Sequence, residues 1–377
     1  MKIWLVEPYY AGSHRAWADG YQRHSEHEVD LLTLPGRFWK WRMHGGAITL
    51  ARRARAREDS PDLVLVSDML NLPIFLSLTG DRCTGAPIAL YFHENQLTYP
   101  LRPGEKRDLH YGFIQFASAL RADALFFNSS YHLDVFFEAL PRMLKQFPDF
   151  RELWTVKALR AKSQVLPLGL SLTRLDGLRP EEPTSGRPLI LWNHRWEYDK
   201  DPKTFFRAIC RLAEEGLDFG LLLLGRSYRN QSGEFLKARQ RWPERILRFG
   251  YVPDLETYAS FLWQADIVVS TALHDFFGGA VAEACYCSCF PILPRDLAYP
   301  ELIPAAYHNA CLYSDISGLI ERLRYAITHI NEMRAFTLQE HVARYDWRHM
   351  APRYDNQLSA MIDAGPSCGD SLTGASQ

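Results

Sequence analysis

The feature that most constrains this chain is a pattern that runs, stops and starts again. Short apolar segments at residues 2–6, 63–66, 88–92, 124–127 and 164–166 alternate with amphipathic stretches of helical period. That is the signature of a parallel sheet with crossover helices. Residues 177–188, GLRPEEPTSGRP, hold three prolines and two glycines, and no apolar period crosses them. The alternation then resumes at 189–192, 221–224, 246–249, 267–270 and 290–293. The pattern predicts an α/β protein of two Rossmann-like, doubly wound domains, 1–180 and 188–345, facing a central cleft. A last helix at 346–364 is expected to pack back on the first domain, and 365–377 to be disordered.

Composition excludes several classes. The chain of 377 residues is 47% hydrophobic and 23% charged, with a net charge of −1. It is neither a disordered nor a fibrous protein, and no global field draws it to nucleic acid or to an acidic membrane. Its seven cysteines fit no disulfide or zinc-ribbon spacing. Cys285, Cys287 and Cys289 alternate, so a helix there points neighbouring thiols apart, and buried packing is the expected role. The opening MKIWLVEPYY lacks a cationic region before a long apolar core, and Glu7 interrupts it. It reads as a strand, not a signal peptide. No apolar run approaches the ~18 residues of a membrane span. A cytoplasmic location without membrane contact is expected.

Two Rossmann-like units suggest a dehydrogenase, but neither opening strand is followed by Gly-x-Gly-x-x-Gly. The first loop is Tyr10-Ala11-Gly12-Ser13-His14, and the second, NHRWEYDKDP, has no glycine. A nicotinamide site is disfavoured. In that second loop Arg195 and Lys200 lie five apart, directly after a strand. Guanidinium forks phosphate oxygens and ammonium adds a point charge, so the pair suits a diphosphate. Two solvated charges are the plain alternative. Asp199 and Asp201 flank Lys200 at a helix start, which points to capping rather than metal binding.

Further on, HDFFGGAVAEACYC places Asp275 and Glu283 eight apart. Gly278 and Gly279 lie where a loop turns into a helix, so backbone amides approach an anion. Carboxylates on either side of that cradle accept hydrogen bonds from sugar hydroxyls.

With these residues in place, the chain resembles the retaining, metal-independent GT-B glycosyltransferases of the family-four type. Asp275 stands where that family usually has Glu, and Ser288 where many relatives have glycine. The first half narrows the resemblance. EPYYAGSH (7–14), LPGRFWKWR (34–42), YFHENQLTYP (91–100), KRDLHYG (106–112) and FFNSSYH (126–132) are similar to the tRNA-queuosine alpha-mannosyltransferases, as is the segment 274–301. The resemblance implies GDP-mannose as donor, the queuosine of tRNA-Asp as acceptor, and no cofactor or metal. It implies catalytic roles for His93, Arg195, Lys200, Asp275 and Glu283. Donor contacts are implied at Gly12, Ser13, Gly225, Tyr251, Phe277, Gly278 and Gly279, and acceptor contacts at His14, Glu94 and Asn95. For Glu94 and Asn95, helix capping is the alternative.

The segment LPGRFWKWR also carries its own signal. Phe38, Trp39 and Trp41 interleave with Arg37, Lys40 and Arg42, which suits stacking on unpaired bases beside their phosphates. An amphipathic edge with its tryptophans in the core is the alternative. From Arg37 to Asp59 there are seven Lys or Arg against Glu58 and Asp59, a net of +5. Such a patch in a neutral protein favours an RNA-facing surface. Two rival functions stand beside this one: a retaining glycosyltransferase with a saccharide or small-molecule acceptor, and a non-catalytic nucleotide-sugar or RNA-binding module.

Overall fold

The computed structural model of the chain describes residues 1–102, 104–179, 186–226 and 233–363. They form two compact units: Met1–Leu170 together with the chain from Trp347 onward, and Ser171–Asp346. The tail expected to be disordered, 365–377, and residues 180–185 of the Pro-rich stretch lie outside the described residues.

The first unit holds β1 (Lys2–Tyr10), β2 (Glu28–Pro35), β3 (Leu63–Ser67), β4 (Ile88–Phe92), β5 (Ala124–Phe127) and β6 (Ser163–Val165). All pair in parallel, in the order β2-β1-β3-β4-β5-β6. Helices cover both faces, so a central strand is apolar along its whole length; every residue of β3 and β4 is buried. Strand β2 reads EVDLLTLP, and as an edge strand it keeps Glu28 and Asp30. That polar alternation hides it from a search for continuous apolar runs.

The second unit holds β7 (Leu189–Asn193), β8 (Gly220–Leu224), β9 (Ile246–Gly250), β10 (Ile267–Val269), β11 (Phe290–Pro294) and β12 (Leu312–Tyr313). Its parallel order is β12-β11-β10-β7-β8-β9. Counted within the unit this is the Rossmann order 3-2-1-4-5-6, whose crevice opens where strand order reverses, between β7 and β10. In the first sheet the reversal falls between β1 and β3. Loops leaving those four strands are where ligands bind.

The boundary differs from the one expected at residue 180. Residues 171–179 belong to the second unit, because Leu172 and Leu175 are buried. The Leu175 carbonyl accepts from Trp263 Nε1 at 2.9 Å, and Tyr286 donates its hydroxyl to Asp176. Proline and glycine mark where a chain has no periodic structure, not which neighbour its leucines choose.

The helix Trp347–Asp363 packs in the first unit. Tyr354 donates to the Pro167 carbonyl at 3.0 Å, and Tyr21 donates to Asp355 at 2.8 Å. Trp347 lies so close to Gly20 that a Cβ there would sit 2.0 Å from its indole nitrogen. Among the described residues no helix is long and apolar enough to cross a membrane.

Candidate active site

In the second unit, β7 ends at Asn193 and a loop leads into the short turn Tyr198–Lys200. Asp201, at φ 42°, caps the helix Pro202–Glu214 by accepting from the Thr204 amide at 3.2 Å. Asp199 behaves differently. Its side chain is fully buried, 3.8 Å from Arg195 Nη2 and 3.6 Å from Lys200 Nζ. Lys200 is buried too; its ammonium donates to the His274 carbonyl at 2.6 Å and lies 3.4 Å from Asp275 Oδ2. Arg195 remains 43% exposed, with Nη1 3.5 Å from Glu197.

The chain after β10 closes this cluster. Asp275 Oδ1 accepts from the amides of Gly278 (2.8 Å) and Phe277 (3.3 Å), and Oδ2 accepts from the Tyr299 hydroxyl at 3.2 Å. Burial pushes the Asp275 carboxyl up, but Lys200, His194 and the two amides outweigh it and hold it at about 2. Gly278 takes φ 83° to start the helix Gly279–Tyr286, and no side chain caps that end. The positive end of that helix therefore starts beside Asp275, the carboxylate that Lys200 faces, and such helix starts favour anions. His194 is buried, and that burial, aided by Lys200, holds its pKa down at about 3, so it is neutral.

Glu283 lies one turn inside that helix. Tyr258 donates to Glu283 Oε2 at 2.7 Å, and Asn193 donates in turn to the Tyr258 hydroxyl at 2.8 Å. Burial raises the Glu283 pKa. Gly225, at φ 146°, passes under the loop so closely that a Cβ would fall 1.8 Å from the His194 carbonyl oxygen. Tyr251 is half-exposed beneath the Arg226 guanidinium, which sits 4.4 Å from its ring. The Phe277 ring is buried edge-on against Tyr345, so only its backbone remains on the site side of that residue. Ser288 adopts φ 67°, a left-handed position that explains why glycine suits it.

In the first unit, the ends of β1, β3 and β4 bring together a second cluster. Glu7 is fully buried; its carboxylate accepts from the Tyr9 amide at 2.6 Å and pairs with His14 Nδ1 at 2.9 Å. Burial lowers the His14 pKa, but Glu7, with Asp68 and Glu94, overrides it and lifts it to about 9. The His14 ring lies 4.2 Å from that of His93. His93 is buried, neither ring nitrogen finds a partner, and burial with the His14 cation keeps it neutral. Its amide donates to Asp68 Oδ1 at 2.9 Å, while Gln115 Nε2 donates to Asp68 Oδ2 at 2.8 Å. Burial raises Asp68 to about 7. Gly12, at φ 54°, and the exposed Ser13 open the helix Gly12–His24, another N-terminus without a side-chain cap.

The structure bears on Asn95, on Trp39 and Trp41, and on the basic patch. Asn95 is fully buried, and its Oδ1 accepts from Leu97 N (3.1 Å), Thr98 N (2.9 Å) and Thr98 Oγ1 (2.9 Å). It closes the turn after β4, which leaves its carbonyl oxygen committed rather than offered to an acceptor. Trp39 and Trp41 are not core: on the helix Trp39–Arg55 Trp41 is 62% exposed, and Trp39 packs half-exposed on Tyr111 at 5.1 Å. Lys40 lies 5.6 Å from the Trp39 ring and 5.7 Å from that of Tyr111. The net of +5 overstates the open charge, since Arg57 also pairs with Asp30, which lies outside that stretch; Arg53 keeps its charge but donates to the Thr33 carbonyl. Arg37 is exposed, and Arg42 donates to the Pro35 carbonyl at 3.0 Å. Glu94 is half-buried.

Sequence reasoning missed Glu7, Asp68, Tyr258, Tyr299 and the burial of Asp199. Glu7 had a signal: a carboxylate inside an apolar strand is buried and therefore needs a partner. Tyr258 and Tyr299 had none. Among the described residues, Glu7, His14 and His93 alone group their ligand atoms closely enough for a metal, within 4.8 Å, but two of them already pair with each other. Cys285, Cys287 and Cys289 are buried, and the Cys289 thiol donates to the Leu262 and Ala265 carbonyls.

Comparison with known proteins decides the family. The family model "tRNA-queuosine alpha-mannosyltransferase N-terminal" matches residues 2–170. The tRNA-queuosine alpha-mannosyltransferase of Drosophila melanogaster is 32% identical over 329 residues, 85% of each chain. The chain belongs to the tRNA-queuosine alpha-mannosyltransferase family. A more distant relative, the GDP-mannose:cellobiosyl-diphosphopolyprenol alpha-mannosyltransferase of Xanthomonas campestris, is 21% identical over 67% of each chain. The fold is that of sucrose-phosphate synthase from Thermosynechococcus elongatus, with TM-score 0.71 at 16% identity over 97% of this chain and 100% of that one. Both clusters of this family member thus sit on a GT-B framework, one in each unit.

Proposed function

We propose that this enzyme transfers mannose from GDP-mannose to the queuosine of tRNA-Asp in the cytoplasm, with retention at the anomeric carbon and without a metal. Family membership supports the mannosyl transfer to queuosine. The observation that carries the chemistry is a linked cluster: Arg195 and Lys200 both face buried Asp199, and Lys200 and the helix start at Gly278 both face Asp275.

In the reaction the bond between mannose C1 and the diphosphate oxygen breaks through an oxocarbenium-like transition state. Negative charge grows on the leaving GDP, and Arg195, Lys200 and the helix start at Gly279 stabilise it. These cations do what a divalent ion does elsewhere. Glu283, oriented by Tyr258, accepts ribose hydroxyls, and Asp275 the mannose hydroxyls. Neutral His93, whose ring nitrogens have no partner, is assigned by family resemblance to the sugar. The acceptor hydroxyl attacks on the leaving-group face, forms the new C1–O bond, and passes its proton to a phosphate oxygen of the departing GDP. No side chain acts as nucleophile.

The test incubates the purified protein with GDP-mannose and either queuosine-containing or queuosine-lacking tRNA-Asp, then digests the RNA to nucleosides. A hexosylated queuosine from the first tRNA alone is the expected result. Sugar transfer to a saccharide or small molecule, with none to either tRNA, supports the rival acceptor and overturns this one.

A further inference from the structure

The first unit carries a second exposed aromatic surface that the reaction above does not use. Among the described residues, the two most exposed large apolar side chains are Phe150, 87% exposed, and Phe38, 72%. Both sit at positive φ, 39° and 55°. A bulky residue rarely adopts that conformation, and such strain gathers at binding sites. Phe38 borders the basic aromatic segment already described. Phe150 lies in a separate loop.

That loop is built to leave the ring outside. Glu152 also takes a positive φ, 49°, so left-handed residues stand on both sides of Arg151. Residues 148–154 are all exposed. Trp154 is held by a hydrogen bond from its indole to Glu152 at 2.7 Å, and Arg151 Nε donates to the Phe147 carbonyl at 2.8 Å. Residues 142–162 contain six Lys or Arg against Asp149 and Glu152, a net of +4. Arg160 is paired with Asp134 and Lys162 donates to carbonyls of Leu120 and Ala122. Arg142, Lys145, Arg151 and Lys157 remain as exposed cations in this stretch of the chain.

One helix joins the two surfaces. On Leu109–Arg121, Tyr111 meets Trp39 at 5.1 Å, and Phe113, two residues on, meets Phe147 at 5.8 Å. Residues two apart point to opposite sides of a helix. The two aromatic surfaces therefore flank a single helix, separated by about its 10–12 Å diameter.

We propose that residues 145–157 form a second RNA contact, in which Phe150 stacks on a base and Arg151 and Lys157 meet backbone phosphates. The inference rests on the tRNA reading and extends it to a part of the RNA beyond the modified nucleoside. Exposed aromatics among cations suit bases and phosphates, whereas the cores of protein interfaces are poor in lysine.

Three variants test it: Phe150→Ala, Phe150→Trp and the double change Arg151→Ala with Lys157→Ala. Affinity for queuosine-containing tRNA-Asp is measured against salt, with GDP-mannose binding and thermal unfolding on the same preparations. Phe150→Ala is expected to weaken tRNA binding roughly 5- to 100-fold, the cost of one lost stack, and Phe150→Trp to retain it. The double variant should flatten the log-log salt slope by roughly 1.4–1.8. Donor binding and unfolding temperature should not move. Unchanged tRNA affinity in Phe150→Ala overturns the second contact while leaving the tRNA reading intact, and so does a drop in unfolding temperature that accounts for the loss. If the wild-type protein binds no tRNA at all, the tRNA reading fails first.

Discussion

Arg195 and Lys200 are both cations of one proposed diphosphate site, yet their surroundings give them different consequences when removed. Arg195 is partly open to solvent and Lys200 also faces Asp199, so Arg195→Ala should cost less stability than removing Lys200. Its turnover should fall roughly 10²–10³-fold, as when other preorganised charge stabilisers are lost. Lys200 is buried against Asp199 and Asp275. Lys200→Ala leaves Asp275 without its cation and Asp199 with Arg195 alone, and should cost about 3–5 kcal/mol of stability as well as activity. Denaturant titration beside steady-state rates separates the two. His14, paired with Glu7, makes stability depend on pH. A histidine lifted to about 9 stabilises the fold fully below its unfolded pKa near 6.5 and loses that contribution as pH rises through 9. Stability should therefore decline by about 3 kcal/mol between pH 6.5 and 9, and Glu7→Gln should flatten that slope. An equal slope in the variant would assign the loss to another group.

At the scale of elements, the helix Trp39–Arg55 carries its first turn into solvent while Met43, Ala47, Leu50 and Ala54 bury its other side. Sequence gave its basic and aromatic residues but not their direction, since tryptophan spacing fits either core or surface. Trp41→Ala should accordingly leave stability within about 0.5 kcal/mol of the parent and weaken tRNA binding by ~1–3 kcal/mol if the ring stacks on a base. A loss of ~3–5 kcal/mol in folding would instead mark it as a packing residue. The helix Trp347–Asp363 shows the opposite case. Its tryptophan fills the space that Gly20 and Gly169 leave open, so two glycines distant in sequence record where the last helix lies.

For the whole molecule, both switch points of two parallel sheets are occupied by buried charge. The second unit gathers two cations around buried Asp199, and the first holds a neutral histidine beside a charged one. If Arg195 and Lys200 are the countercharge to the diphosphate, GDP-mannose should bind equally in excess chelator and in magnesium. Calorimetric titration in both buffers checks this; binding that disappears with chelator and returns with magnesium would sink the metal-free mechanism. The same titration at rising salt should change little, since a buried ammonium such as Lys200 is poorly screened.

The sequence by itself determined the α/β class, ten of the twelve strands and the loops that carry Arg195, Lys200, Asp275 and His93. It did so because buried parallel strands must be apolar throughout, and phosphate and sugar chemistry needs specific side chains just after them. It could not supply β2 and β12, one an edge strand with polar alternation and the other two residues long. Only the tertiary structure decided which residue partners which. Asp201 caps a helix while Asp199, two positions earlier, is buried against the cations, and Asn95 ties a turn instead of facing solvent. Partners such as Glu7 with His14 or Tyr258 with Glu283 are chosen by distance in space. Hydrogen bonds and ion pairs act over a few ångströms, and a linear pattern does not record which distant segments come that close.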